Sequence, residues 1–214
     1  HAAGHTAALA KIESYWADIR RGRLVPERSE IDPRGLEGVL KHAFILERLT
    51  TGLARVRVAG SHMTEFLGTE TRGLPLSAVF GAASRDVLAD AIETVFDEPA
   101  TVHLSITSDG GIGHPELAGG MVLLPLRSDL GDINRILGGI SLEGRVGRRP
   151  KRLEITGQSR RSLIGYASRP PERAGLSGTS ATTRLPSPLK PARRPAPSNP
   201  SRGNDHLKLV VMND

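Results

Sequence analysis

Few residue types in this 214-residue chain can do chemistry, and one of the most reactive is missing: there is no cysteine. That excludes disulfides, thiolate metal sites and cysteine nucleophiles, and it fits a reducing compartment. Seven histidines remain. His103, His114 and Glu116 are metal ligands by type. However, His103 falls on the polar side of an alternating run, and His114 and Glu116 flank Pro115 in a loop, so no single element fixes their spacing. His62 stands in the first turn of a short helical segment, where an exposed side chain is expected. Carboxylates are plentiful, but none accompanies a nucleophile pattern, and the GxSxG and HExxH spacings are absent. No catalytic residue and no metal ligand is assigned, and catalysis is not expected.

The stretch RVRVAGSHMTEFLGTETRG, residues 55–73, poses a sharper question. Gly60 and Ser61 can either cradle an anion or turn a corner. Glycine permits a sharp exit from a strand, Ser61 suits a helix N-cap, and Gly68 suits a left-handed C-cap. A phosphate cradle would want more glycine amides, and GxGxxG and GxxxxGK[ST] are both absent. The corner is the expected reading. Arg55, Arg57 and Arg72 around it can hold an anionic ligand or partner, although solvated arginines are the plainer expectation.

Several elements must position these residues. Residues 7–21 read as an amphipathic helix capped by Thr6 and ended by Gly22, with Leu9, Ile12, Trp16 and Ile19 in one narrow stripe. Such a stripe lies on the domain's own surface or forms a dimer seam. Asp32 before Pro33 starts a short helix. Residues 42–49 and 53–59 read as a hairpin turning at Thr51-Gly52, with Ala54, Val56 and Val58 on one face. A helix over 83–97 shows Val87, Leu88, Ala91, Ile92, Val95 and Phe96 on a broad apolar side. Strands follow at 101–107, 118–127 and 134–143. The first of them exposes Thr101, His103, Ser105 and Thr107, and Asp109 begins its connecting turn. Pro125 predicts a bulge, because proline removes a ladder donor. No apolar run approaches the roughly 18 residues of a membrane helix.

Charge divides the chain. Residues 1–143 hold 14 Lys/Arg against 19 Asp/Glu, a net of −5, whereas residues 144–214 hold 15 against 4, a net of +11. The second part also carries 9 of the 15 prolines. It cannot bury enough surface to offset its ordering entropy and reads as a disordered basic tail. Its clusters RRPKR (148–152), RR (160–161) and KPARRP (190–195) would attract nucleic acid or anionic lipid weakly, without sequence preference. Only Tyr166 is there for base stacking. The final HLKLVVMND is apolar again and can add a strand to a partner's sheet or dock back.

The order of elements is α+β: five antiparallel strands with helices inserted between the second and third. The stretches YWADIRRGRLVPERSEIDPRGL (15–36), RVRVAGSHMTEFLGTETRG (55–73), VLLPLRSD (122–129) and RILGGISL (135–142) come in the order seen in the single-domain PAS-like proteins of alphaproteobacteria, which this chain resembles. Trp16, Arg20, Pro26, Asp32-Pro33 and Ala59-Gly60 are the most distinctive positions. With the resemblance running over residues 9–143, the chain divides into an N-terminal helix (1–22), a PAS-like domain (23–143) and the basic tail (144–214), the last read from its composition. The resemblance implies a cytoplasmic sensory module that works by contact with a regulatory protein, a homodimer built on the stripe of the first helix, and a hydrophobic cleft beneath the inserted helices. The inward faces supply the cleft candidates. They are Val56 and Val58 on a strand, Met63, Phe66 and Leu67 on the short helix, Leu88 and Ile92 on the long one, and Leu104, Ile106, Leu123 and Ile140 on the later strands. No cofactor is named: the flavin-reactive cysteine is absent, the long helix has no axial histidine, and His62 is poorly placed for haem.

Overall fold

The computed structural model describes residues 3–108, 117–144 and 152–164. Helix α1 (Ala3–Arg20) leads into three short 3₁₀ turns at Arg28–Glu30, Pro33–Leu36 and Leu40–His42. Strands β1 (Ala43–Thr50) and β2 (Leu53–Ala59) follow, then α2 (Ser61–Leu67), a further 3₁₀ turn and α3 (Ala82–Asp97). The chain continues through β3 (Ala100–Ser108), β4 (Ala118–Arg127), β5 (Ile133–Glu143) and β6 (Leu153–Ser162). All neighbours are antiparallel, in the order β2-β1-β5-β4-β3-β6.

The sheet has six strands where five were expected. The sixth comes from residues assigned to the disordered tail. Leu153 and Ile155 bring some apolar surface, but the remainder of β6 is polar or glycine and mostly exposed. Its order comes from the ladder it forms with β3, from Ala100↔Ser162 to Ser108↔Leu153. Ser84 of α3 fastens it as well: its hydroxyl donates to Glu154 and accepts the Ile155 amide at 2.8 Å. Arg160 and Arg161, counted above as tail charges, meet Glu98 and Glu13. The clusters at 190–195 and the final apolar segment lie outside the described residues.

Two apolar layers sandwich the sheet. On the inner face α2 and α3 close a core that includes Phe44, Phe66, Phe80 and Met121. On the outer face α1 lies across β4 and β5 in a second layer with Val122, Leu124 and Leu137. Two adjacent glycines allow both. A Cβ on Gly138 would fall 2.0 Å from the Phe44 ring, and one on Gly139 would fall 2.7 Å from Ile12 Cδ1. The pair GG in RILGGISL therefore leaves room for an aromatic ring on one side and a helix on the other.

Several local readings need correction. Helix α1 runs back to Ala3, so Thr6 is inside it rather than capping it. It ends as expected, with Arg21 and Gly22 at positive φ. Asp32 accepts the Arg34 amide at 2.9 Å, so the Asp-Pro start is real, although the turn it opens is 3₁₀. The N-cap of α2 is Gly60, without a side-chain cap bond; Ser61 is already helical. Gly68 does close α2 in the left-handed conformation, φ 68°. The β4 irregularity falls between Leu126 and Arg127, not at Pro125. Pairing of β4 with β3 ends at Leu123, so Pro125 has a strand neighbour on one side only. Val87 is exposed, at the margin of the α3 apolar face. Thr101 is buried, whereas His103 and Thr107 on the same face are half-buried and Ser105 is exposed.

Candidate functional site

The inner-face candidates come together with one exception. Val56, Met63, Phe66 and Leu67, Leu88 and Ile92, Leu104 and Ile106, and Leu123 and Ile140 are all buried members of the same core layer. Val58 is not among them: it is 54% exposed. The register explains it. Ile45 faces Val58 and Leu46 faces Val56, so Arg57 is an extra residue in a bulge. One added residue reverses which face the following side chain takes. Val58 therefore projects from the outer face with Ile45.

The α1 stripe is used within the chain. Leu9, Ile12 and Trp16 are buried in the outer layer and Ile19 is half-buried. Trp16 Nε1 donates to the Pro125 carbonyl at 2.8 Å. Tyr15 Oη accepts the Asp32 amide at 2.7 Å and donates to the Asp32 carbonyl at 3.1 Å, and Gly35 leaves room for its ring. In this arrangement the stripe is no open dimer seam.

His62, expected to be exposed, is partly buried and works as a hydrogen-bond acceptor. Its Nε2 takes the Leu142 amide of β5 at 3.0 Å, which places its proton on Nδ1, 3.6 Å from Glu65. The His42 ring lies 4.5 Å away, centroid to centroid, and His42 Nδ1 donates to the Ile140 carbonyl at 3.0 Å. Burial pushes both imidazoles below their ordinary value of 6.5. For His62 the neighbouring His42 adds to this; for His42, Lys41 does. The unfolded chain then binds protons before the folded one. The contribution to stability is whole above pH 6.5 and is lost as pH falls through the lowered folded values. A melting profile should therefore decline below pH 6.5, and His62→Gln should flatten the decline; an unchanged decline in the variant would contradict this.

His103 belongs to a different cluster from the one imagined. It sits 3.3 Å from Glu13 of α1, which also meets Arg161 of β6. The hydrogen bond from His103 holds the Glu13 carboxyl below its usual range, with Arg161 adding to it. His114 and Glu116 lie outside the described residues, among which no group of three metal-ligand side chains occurs.

Arg55 and Arg57 are not merely solvated. With Arg135 of β5 they converge on Glu47 of β1, at 2.7, 2.8 and 2.8 Å. Burial alone would raise the Glu47 pKa; the Arg55 hydrogen bond and the surrounding arginine charges outweigh it, so the carboxyl titrates below its usual range. Beside this clamp, on the outer face of β1 and β2, a groove of 560 Å³ runs beneath the 3₁₀ segment. Ile31, Leu36 and Leu40 form one wall, with Ile45, Val58 and Leu137 opposite. Gly60 and Ser61 line it too. A polar basin of 360 Å³ adjoins it, sharing Arg28, Ile45 and Val58 and adding Arg57, Arg135, Ser128 and Asp129. The sequence marked Arg57, Val58 and Gly60-Ser61 singly but not the groove they line, because its other walls come from the irregular 28–42 segment and its opening from a bulge.

The chain thus runs through two antiparallel strands, inserted helices and three further strands, with an N-terminal helix across the outer face of the sheet. The family model described as PAS domain matches residues 5–141. The chain belongs to the PAS domain family. No curated protein matches it. PAS domains are typically sensory modules of signal transduction, and the arrangement of β1–β5 and α1–α3 is that of a PAS-like α+β fold. The match ends two residues before β5 does, and β6 lies beyond it. Among the described residues no helix is long and apolar enough to cross a membrane.

Proposed function

We propose that this PAS domain is a non-enzymatic regulatory module that self-associates and passes its signal by protein contact. The observation that carries the reading is the seat of α1. The helix rests on a glycine-floored track, Gly120 and Gly139, and is tied at one end to the sheet by Trp16 and to the 3₁₀ segment by Tyr15. An element held by a few discrete contacts over small residues can shift as a body when the sheet beneath it changes. Because the apolar stripe is occupied, contact with a second copy has to use another surface. The outer edge of β6 beyond Ile155 has no strand partner among the described residues and offers backbone groups for pairing.

Sedimentation velocity of the intact chain tests this. The expected result is a dimer in the micromolar range. A monomer at every concentration examined would defeat the self-association half of the proposal.

A further inference from the structure

The groove on the outer face of β1 and β2 and the basin beside it make two chemically different ends that share Arg28, Ile45 and Val58 as their common wall. One end is aliphatic, walled by Leu36, Leu40, Ile45 and Val58. The other presents Arg28, Arg57 and Arg135. Arg57 and Arg135 share Glu47 with Arg55, so one carboxylate faces three guanidinium groups. Asp129 supplies one more negative charge at the rim. Arg28 makes no ion pair among the described residues, nor does Lys41 at the aliphatic end. The balance at the polar end is cationic.

A second observation points the same way. Ser128 lines the basin, is only 9% exposed, and its Oγ has no hydrogen-bond partner. A buried hydroxyl left unpartnered costs about 1–3 kcal/mol. This oxygen is closed off from solvent, so a ligand oxygen meets it once the Ser128 side chain turns toward the basin. Val58 and Leu40 are large apolar side chains left 54% and 48% exposed on the groove walls, which burial under a hydrocarbon chain would relieve. Both compartments fall in the size range of small-molecule sites, about 300–1,000 Å³.

We infer that this groove binds a free long-chain carboxylate, with its alkyl chain between Leu36, Leu40, Ile45 and Val58 and its carboxylate among Arg28, Arg57, Arg135 and the Ser128 hydroxyl. The site is on the face of the sheet opposite the inner core, next to the segment that Tyr15 ties to α1. It goes beyond the contact reading above and does not depend on self-association.

The test is isothermal titration of the full chain, stripped of bound lipid, with dodecanoate below its micelle concentration. Dodecyltrimethylammonium supplies the same chain with the opposite charge, and hexanoate a shorter chain with the same charge. Saturable one-to-one binding of dodecanoate is expected, at least tenfold tighter than of either analogue. Val58→Asp and Arg28→Glu should each weaken it about tenfold or more. Ser128→Ala should weaken it several-fold while leaving the melting temperature no lower. Val58 and Arg28 are both on the surface, so thermal melts of these variants should match the parent. No saturable binding, equal binding of the cationic chain, or affinity within twofold of the parent in both surface variants would overturn the assignment. None of these outcomes bears on the dimer, which sedimentation reads separately.

Discussion

Replacing Trp16 by alanine is expected to destabilise the domain by about 3–5 kcal/mol, the range for removing a large aromatic side chain from a packed interior. Trp16 is 2% exposed, packs with Ile12 and the outer face of the sheet, and is one of the ties between α1 and β4. Its loss leaves a cavity under the helix and deprives the Pro125 carbonyl of its indole donor. For a domain of this size each kcal/mol moves the melting temperature by about 2–4 °C, so a fall of roughly 10 °C should be read in a thermal melt. Trp16→Phe keeps most of the packing and removes the N–H; its cost should be nearer 1–2 kcal/mol. A loss below 1 kcal/mol for the alanine variant would mean that α1 is not seated on this sheet. A loss that grows as protein is diluted would mean that the helix is seated on another copy.

Gly60→Ala is expected to cost about 3 kcal/mol, at the upper end of what overpacking does. The reason is close approach rather than backbone conformation, since its φ of −74° suits any residue. A Cβ there would lie 2.3 Å from the Lys41 carbonyl oxygen and 2.5 Å from that of Leu40, and main-chain atoms cannot swing aside as a side chain can. Ser61→Ala should change stability by no more than about 0.5 kcal/mol, because the hydroxyl makes no cap bond. Urea unfolding of the two variants side by side decides the matter. The reverse order of effects would restore Ser61 as the helix cap and remove the steric role of Gly60.

The contrast between those two residues shows what a linear reading can see. Corner-turning at Ala59-Gly60 was legible, and so were the Gly68 cap, the Asp32-Pro33 start, the β1–β2 hairpin and the long α3, because each rests on local conformational preference or on a clean period. Which atom forbids a side chain at Gly60 was not legible, since the obstacle comes from carbonyls about 20 residues earlier. Val58 was misplaced for a related reason: strict alternation is what a strand without a bulge would show, and nothing in LARVRVA announces that Arg57 is the extra residue. The stripe on α1 was visible, but one apolar stripe reads alike whether it meets its own sheet or a second helix. The His42–His62 contact joins a 3₁₀ turn to a helix through β5, and no spacing in the chain predicts it. β6 was overlooked because its own side chains bury little; β3 supplies most of its reason to be ordered.

That last dependence reaches beyond β6 itself. The nine residues of β3 have β4 on one side and β6 on the other. A fragment cut at the end of the family match, near residue 141, would strip one flank from β3 and leave Val102, Leu104 and Ile106 on a bare hydrogen-bonding margin. Such a margin templates uncontrolled sheet growth between molecules. The stretch from Leu153 to Ser162 thus exchanges that apolar margin for a polar edge that carries Arg160 and Arg161 and pairs less readily, and a truncated fragment should carry it to remain dispersed.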